Sequence, residues 1–336
     1  MSEVKKPTVS VIMPLLNEEK YVADCVESLL KQDYPRADME WIFVDGMSKD
    51  KTVAILEDYQ RKYPELIQIY SNPNQTAPYA MNIGIRHAVG KYIIRLDAHA
   101  DYPSDYLSKC VHYLDTTDSD NVGGLAETKA KTSLGALIAK MLSSKFGVGN
   151  SQFRTGGKTG YVDTVPFGAF RREVFEKWGL FDERLARNED NEINYRIRKN
   201  GGKVLLVDDI HFTYYCRDTL KGICNMAKNN GKWNIIVLTV CPGSMGIRHY
   251  VPLAFLLSLL FLPLFGLLHP AFWWLLLCEL GLYFLLDLLF SVKLTHKPVE
   301  ILTLLFLFPA FHLSYGFGSL LGIFGVLSGK YKNKKN

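Results

Sequence analysis

The sequence predicts a two-part protein: an α/β head with a mostly parallel sheet covered by helices on both faces, then apolar helical segments of membrane-crossing length. Three observations predict it. Residues 8–100 alternate short β-branched runs with amphipathic helical stretches. Apolar residues make up 48% of the 336, and they crowd into the last quarter of the chain rather than spreading evenly. The apolar run Tyr92-Ile93-Ile94-Arg95-Leu96 leads directly into Asp97-Ala98-His99, a pair of metal-ligating side chains at a strand's carboxyl end, where open α/β sheets bind their ligands.

In order, 8–13 reads as a strand and 18–31 as a helix with Val22, Val26, Leu29 and Leu30 on one face. A strand at 40–44, a helix at 51–62, a strand at 66–70, a helix at 77–89 and a strand at 91–96 follow. Strands that alternate with helices predict parallel pairing through helical crossovers. Helices are expected at 106–114, 134–145, 171–177, 190–199 and 219–230, with a strand at 203–207. The Gly-rich stretch 147–164 reads as a mobile loop able to fold over a bound ligand. This head spans 1–235.

Residues 236–330 form the membrane region. The runs at about 250–268 and 271–290 are each long enough to cross a hydrocarbon core of about 30 Å. Glu279 and Asp287 are the acids within them. A third apolar segment, 299–327, contains Pro309, His312, Ser314, Tyr315, Gly316 and Gly318, so a re-entrant or interfacial course competes with a crossing. Lys293 and Lys297 lie in one connecting loop, the His269-Pro270 turn has no lysine or arginine, and 331–336 is a basic tail. Positive charge favours the cytosolic side. The residues before Val9 form no signal peptide, and the six cysteines show no CxxC spacing. The expectation is a multi-pass protein of the cell (inner or plasma) membrane with a cytosolic head. A net charge of +5 without a dense Lys/Arg stripe gives no reason to expect nucleic acid as a partner.

Asp97 and His99 suit Mn²⁺ or a similar divalent ion held jointly with phosphate oxygens. Asp101 is an alternative second acid. At the first strand's end, Pro14 stops the ladder and Asn17 can cap the next helix. Asp45 falls at the end of the second strand, where a carboxylate accepts N–H or hydroxyl hydrogens, and Gly46 permits the turn. Asp50 is placed to cap the helix after it. Glu189-Asp190 opens a helix, where acids complement the macrodipole.

These residues resemble those of family 2 glycosyltransferases with the GT-A fold. Pro14 with Asn17-Glu18, Asp45-Gly46-Met47-Ser48 with Asp50 and Thr52, Ala80-Met81-Asn82-Ile83-Gly84-Ile85, Asp97-Ala98-His99 and Glu189-Asp190 occur in the family's order. The likeness covers residue 8 to about 235 and is closest to membrane-anchored bacterial enzymes of the succinoglycan and exopolysaccharide type. The resemblance implies a nucleotide-sugar donor bound by Pro14, Asn17, Glu18, Asp45, Asn82 and Asp97. It further implies a divalent metal (Mn²⁺ or Mg²⁺) on Asp97 and His99, and Asp190 as the base of an inverting transfer. Glu189, Arg217 and Trp233 fall in segments the family uses around the acceptor, as does the stretch 164–172. Two departures stand out: His99 replaces the usual second acid of the metal motif, and Gly46 replaces a second acid after Asp45. The Gln-x-x-Arg-Trp motif of processive relatives is absent, which argues against a processive polymerase.

The reading is transfer from a nucleotide diphosphate sugar, UDP-linked by resemblance, to a lipid-linked saccharide at the membrane. Its alternatives are a polyprenyl-phosphate sugar transferase and a non-catalytic membrane assembly subunit.

Overall fold

The computed structural model describes residues 7–331; the expected tail, but for Tyr331, lies outside them. Two compact units emerge. The first comprises 7–127 and Gly156–Tyr215, the second Thr128–Thr155 and 216–331. This division differs from a single cut at 235 because the chain leaves the first unit at 127, returns at 156 and leaves again at 215.

The first unit begins β1 (Val9–Leu15), α1 (Val22–Leu30), β2 (Met39–Asp45), α2 (Thr52–Lys62), β3 (Ile67–Ser71), α3 (Ala77–His87) and β4 (Tyr92–Arg95). It continues through β5 (Ala100–Asp101), α4 (Tyr106–Thr116) and β6 (Asn121–Lys129), whose last residues pass into the second unit. The second unit then holds α5 (Ser133–Leu142), α6 (Lys145–Val148) and α7 (Gln152–Thr155). Back in the first are β7 (Gly160–Tyr161), β8 (Ala169–Arg171), α8 (Arg172–Trp178), α9 (Glu189–Lys199) and β9 (Val204–Tyr215). The second closes the chain with α10 (Leu220–Val240), α11 (Val251–Gly266), α12 (Ala271–Leu294) and α13 (Pro298–Leu327).

The strand order is β3-β2-β1-β4-β8-β6-β9-β5, with β7 added on β9. Pairing is parallel from β3 to β4, as the alternating pattern predicts, and antiparallel where β8 joins β4 and β6 and where β5 and β7 join β9. The antiparallel half escaped the sequence reading because β5, β7 and β8 are only two or three residues long. The parallel strands are apolar on both faces: Val11, Ile12, Trp41, Ile42, Phe43, Ile93 and Ile94 are all buried, as a sheet covered on both sides requires. Parallel register aligns Leu15 with Asp45 and Ile12 with Arg95, so these three strands end on one edge.

Two local expectations need correction. Pro14 does not end β1, which runs on to Leu15; pairing with β4 stops at Ile12, so a residue without an N–H is tolerated where that edge is free. The stretch 147–164 is not a bare loop, since it contains the end of α6, the whole of α7 and the β7 strand hydrogen-bonded to β9.

In the second unit, α12 and α13 are long and apolar enough to cross a membrane, by length and composition. The 16-residue α11 is shorter than the run 250–268 implied, about 24 Å at 1.5 Å per residue. Segment 299–327 shows no chain reversal: α13 is one 30-residue helix that continues through Pro309. Its small residues serve close packing on α10. A Cβ at Gly318 would lie 1.9 Å from the Lys228 carbonyl oxygen, and one at Gly231 of α10 would lie 2.0 Å from that of Tyr315; only glycine allows this approach. Glu279 accepts from the Ser258 hydroxyl at 2.6 Å, tying α12 to α11, and Asp287 accepts from Ser291 at 3.1 Å. His312 meets the Tyr283 hydroxyl at 2.9 Å and the Phe146 carbonyl at 3.0 Å.

Candidate active site

The first unit gathers most of the expected site residues at the carboxyl ends of β1, β2 and β4. Asp45 ends β2 and is 4% exposed. Its Oδ2 accepts the Ser48 N–H at 3.0 Å, while Oδ1 is buried with no hydrogen-bond partner among the described residues. A buried carboxylate oxygen left unpaired is costly, and here it marks a place for an incoming donor group. Asn17, with φ +57°, does not cap α1, which lacks a side-chain cap. Instead its N–H donates to the Ser48 hydroxyl at 2.8 Å and its Oδ1 accepts the Lys49 N–H at 2.9 Å. Glu18 donates its N–H to Thr52 Oγ1 at 2.8 Å. The two loops after β1 and β2 are thereby stitched into one rim. The N-cap position of α2 falls on Lys51 rather than on Asp50, although Asp50 Oδ1 accepts the Thr52 N–H at 3.0 Å beside the helix start.

Beyond β4, the Asp97 N–H donates to the hydroxyl of buried Tyr102 at 2.9 Å, which fixes the turn that presents both Asp97 and His99. The His99 Nδ1 lies 3.5 Å from Glu18 Oε1, and the ring leans on Tyr214 with centroids 6.1 Å apart. Asp101 is engaged elsewhere, accepting from the Tyr215 hydroxyl at 2.7 Å. Among the described residues, no group of three or more His, Cys, Asp or Glu is placed to hold an ion unaided.

The residue that organises the site is Arg95, which sequence reasoning passed over as part of an apolar strand. Its side chain is 7% exposed. Nη1 donates to Glu189 Oε1 at 2.9 Å and to Asp190 Oδ1 at 2.7 Å, and Nη2 lies 3.9 Å from Asp97 Oδ1. The available signal was the arginine itself: a guanidinium within a doubly covered strand must find carboxylates. Burial works against its charge, but Asp190, Glu189 and Asp97 more than offset that and hold its pKa above the ordinary value. Burial pushes the Asp190 carboxyl up to about 7; Arg95 opposes the rise, whereas the charges of Glu189 and Asp97 add to it. One guanidinium among three carboxylates leaves the cluster acidic, and this suits a cation beside Asp97.

Neighbouring segments are held to this cluster. Asn188, at φ +65°, turns the chain into α9. Phe167, at φ +48°, sits with its ring 5.9 Å from the Arg95 guanidinium; a non-glycine residue in the left-handed region is uncommon and often marks a functional loop. Asn194 of α9 donates to Thr164 Oγ1 at 2.9 Å and to the Val165 carbonyl at 3.1 Å, fixing the expected acceptor segment against the acidic pair's helix. Both ends of the Asn82 amide are engaged. It accepts the Phe181 N–H at 2.9 Å and donates to the Phe181 carbonyl and Glu183 Oε1 at 2.9 and 2.8 Å, so it clamps the segment leading toward α9. Arg217 and Trp233 belong to the second unit; Trp233 packs edge-on against Tyr331 with centroids 6.0 Å apart.

A sheet edge with an acid ending one strand, Asp-x-His following another and an acidic pair opening a helix defines a glycosyl-transferring head. The family model of glycosyl transferase family 2 matches residues 10–179, and the chain belongs to that family. It is 30% identical over 321 residues to the dolichyl N-acetyl-alpha-D-glucosaminyl phosphate 3-beta-D-2,3-diacetamido-2,3-dideoxy-beta-D-glucuronosyltransferase of Methanococcus voltae, covering 92% of this chain and 95% of that protein. It is 27% identical over 254 residues to the succinoglycan biosynthesis protein ExoA of Rhizobium meliloti, covering 75% of this chain and 76% of that one. Its fold is similar to that of a mannosyltransferase from Pyrobaculum calidifontis in complex with GDP-Man and Mn²⁺, with a TM-score of 0.63 at 19% identity over 94% of this chain and 88% of that chain. The head is therefore a GT-A glycosyltransferase fold.

Proposed function

We propose that the protein is an inverting glycosyltransferase that moves a sugar from a nucleotide diphosphate donor, UDP-linked by the family's pattern, to a lipid-linked saccharide at the membrane. The observation that carries the reading is the Arg95 cluster, which brings the carboxylate of the Asp-x-His turn and the acidic pair of α9 around one buried guanidinium. The first relative's name specifies a lipid-linked sugar as acceptor, and two helices of crossing length agree with an acceptor held in a membrane.

Asp190 acts as base. Its Oδ1 is tied to Arg95, which leaves Oδ2 to take the proton of the acceptor hydroxyl. As that oxygen forms its bond to the anomeric carbon, the bond to the diphosphate breaks on the opposite face, and the electron pair leaves with the nucleotide. A single displacement inverts the anomeric configuration. Asp45 Oδ1, which has no partner among the described residues, accepts a hydrogen from the donor's base or ribose. The Asn17 and Glu18 rim borders the donor.

Asp97 and His99 fit a divalent ion as a half-site, with phosphate oxygens of the donor completing the coordination. Their carboxylate and imidazole are chemically competent, and the acidic excess around Asp97 attracts a cation. When bound, such an ion supplies charge neutralisation on the departing diphosphate.

The test is a panel of UDP- and GDP-sugars in detergent with Mn²⁺ or Mg²⁺ and a membrane-lipid extract as acceptor. One donor is expected to label the lipid fraction, and Asp190→Asn to abolish labelling while nucleotide still binds. Transfer by Asp190→Asn at the wild-type rate would refute the assignment of the base.

A further inference from the structure

In the second unit, α13 has the length and composition of a membrane span, but its neighbours do not. Its second half runs parallel to α10. Cys224 Sγ lies 3.8 Å from the Ala310 carbonyl, and the Ser319 hydroxyl donates to the Gly231 carbonyl at 3.3 Å. A Cβ at Gly318 would collide with the Lys228 carbonyl, and one at Gly322 would lie 2.7 Å from that of Lys232. Whatever depth 310–322 occupies, 224–232 occupies too. That part of α10 reads Cys-Asn-Met-Ala-Lys-Asn-Asn-Gly-Lys, and lysine and asparagine are costly in hydrocarbon. The first half of α13 is held in the same way. Glu300 Oε2 lies 3.3 Å from Lys140 Nζ of α5, and Phe146, next to Lys145 in α6, packs on Phe308 with centroids 5.0 Å apart. What α13 leaves exposed is one apolar stripe, Leu302, Phe306, Phe317, Phe324 and Leu327. That is the pattern of a helix lying in the interface plane.

The hairpin of α11 and α12 differs. Its base is fixed where Gly316 meets Pro252 and Leu256, and where the Tyr283 hydroxyl meets His312 at 2.9 Å. Beyond that level the two helices pair with each other through Ser258 with Glu279 and Phe265 with Phe272. Leu260, Leu264, Leu267, Leu268, Trp274 and Leu277 there are each at least 50% exposed. Twelve residues separate Leu256 from Leu268, and twelve separate Tyr283 from Ala271, about 18 Å of helix. A crossing needs about 30 Å, so the hairpin ends a little past the bilayer's middle. Its turn meets the demand of such a place. The N–H groups of Leu267, Leu268 and His269 donate to the Leu264 and Phe265 carbonyls at 2.9–3.3 Å. Ala271 donates to His269 Nδ1 at 3.2 Å, Phe272 and Trp273 donate to the His269 and Pro270 carbonyls at 3.2 and 3.0 Å, and Pro270 has no N–H. Every N–H from Leu267 to Trp273 is thus met within the hairpin, as hydrocarbon requires; a turn in water on the far face would need no such provision.

We infer that this unit holds the membrane from one face: the α11–α12 hairpin is a wedge buried in the hydrocarbon, and α13 lies at the surface without crossing. The partner is the acyl interior of the bilayer, met by the hairpin's exposed leucines and tryptophan and by the α13 stripe. The chain's charges agree. Arg248 before the hairpin, Lys293 and Lys297 after it, and Lys330 beyond α13 then share one side, as positive charge favours, whereas a crossing α13 would part Lys330 from Lys297. The inference rests on packing within the second unit and stands apart from the activity proposed above.

Two measurements on the full chain test this. With an epitope tag at each end, in sealed membrane vesicles treated with protease from outside, both tags should be lost together or kept together. Loss of one with retention of the other would mean that α13 crosses, and would overturn the proposal. Depth is read at Leu268→Cys, made in a Cys278→Ala background because Cys278 is exposed. A membrane-impermeant maleimide should leave this cysteine unlabelled from either face while labelling Lys62→Cys, at an exposed position of α2. A bimane attached to it should be quenched more by 12-doxyl than by 5-doxyl phospholipid. The chain without substitutions gives an independent reading should the variant fail to fold: Trp273 and Trp274 lie beside the turn, so its tryptophan emission should also fall more with the 12-doxyl lipid. Labelling of Leu268→Cys from the face opposite the tags would show a full crossing by the hairpin. Stronger quenching of the tryptophans by the 5-doxyl lipid would show a hairpin lying on the surface. Either result overturns the wedge.

Discussion

Replacing Arg95 by methionine keeps the side chain's length and removes the guanidinium from among three carboxylates. Arg95 and Glu189 have side chains 7% and 9% exposed and Asp190 has 26%, so solvent offers little compensation. Removing one partner from a buried ion pair costs roughly 3–5 kcal/mol. For a unit of this size each kcal/mol lowers Tm by about 2–4 °C, so a drop of roughly 6–20 °C is expected. The sign with pH follows from Asp190. Its folded pKa, about 7, lies above the ordinary 3.8, so its contribution to stability is full at acid pH and is lost as pH rises through about 7. Arg95 opposes that rise. Arg95→Met therefore raises the Asp190 pKa further, and the variant's stability deficit should be larger at pH 8 than at pH 5. In the proposed mechanism transfer needs ionised Asp190, so the acidic limb of the rate profile should move to higher pH in the variant. Thermal unfolding at the two pH values, with the transfer profile alongside, measures both effects. A Tm within about 2 °C of wild type at pH 8, with an unmoved acidic limb, would show that Arg95 does not hold the base.

The remaining expectations concern single residues of the same edge. Asp190→Asn should reduce transfer by roughly 10²–10⁴-fold with nucleotide affinity retained, as equilibrium binding would show; parallel loss of both would mark a folding defect instead. In the wild type, transfer should climb as pH rises through about 7, where Asp190 loses its proton, and a profile flat from pH 5 to 8 would contradict the base assignment. Asp45→Ala removes a charged acceptor worth about 1.5–3 kcal/mol, so the donor KM should rise by roughly tenfold or more with a smaller change in kcat; an unchanged KM places the nucleoside elsewhere. His99→Ala should raise the Mn²⁺ concentration needed for half-maximal transfer, and an identical metal titration would leave His99 outside the metal site.

What was legible in the sequence was whatever local pattern determines. The β-branched runs and amphipathic helices from β1 to β4 follow from side-chain periodicity, and the observed boundaries fall within a few residues of those expected. The positions of Asp45, Asp97 and Asp190 at strand ends and a helix start were legible because such places are marked locally by glycine, proline and charge. The antiparallel additions were not, since β8 is a three-residue strand whose existence depends on distant partners. The course of 299–327 stayed open for a related reason: its proline, polar residues and glycines allowed a re-entrant or interfacial course beside a crossing, whereas Gly316 and Gly318 are buried where α13 meets α11 and α10. Asn82 looked like a donor ligand by motif, but both ends of its amide are spent on residues 181 and 183. Long-range hydrogen bonding of that kind leaves no trace in local spacing.

Arg95 also bears on why one carboxylate of the acidic pair is proposed as base and its neighbour is not. Both accept from the same Nη1, yet the Glu189 side chain is 9% exposed and that of Asp190 26%. Both sit in the first turn of α9, where the macrodipole favours ionised acids, so helix position alone does not distinguish them. Exposure does. A base must meet the acceptor hydroxyl and release its proton to water afterwards, and of the two acids Asp190 is the more open to solvent. Glu189 is better suited to keep the guanidinium in place, anchoring Nη1 so that the Asp190 carboxylate cannot rotate away from the cleft. On this argument Glu189→Gln, which keeps an oxygen to accept from Arg95, should preserve most of the transfer activity, whereas Glu189→Ala should lower kcat with little change in donor KM. Equal effects from the two substitutions would mean that Glu189 contributes its charge rather than its hold on Arg95.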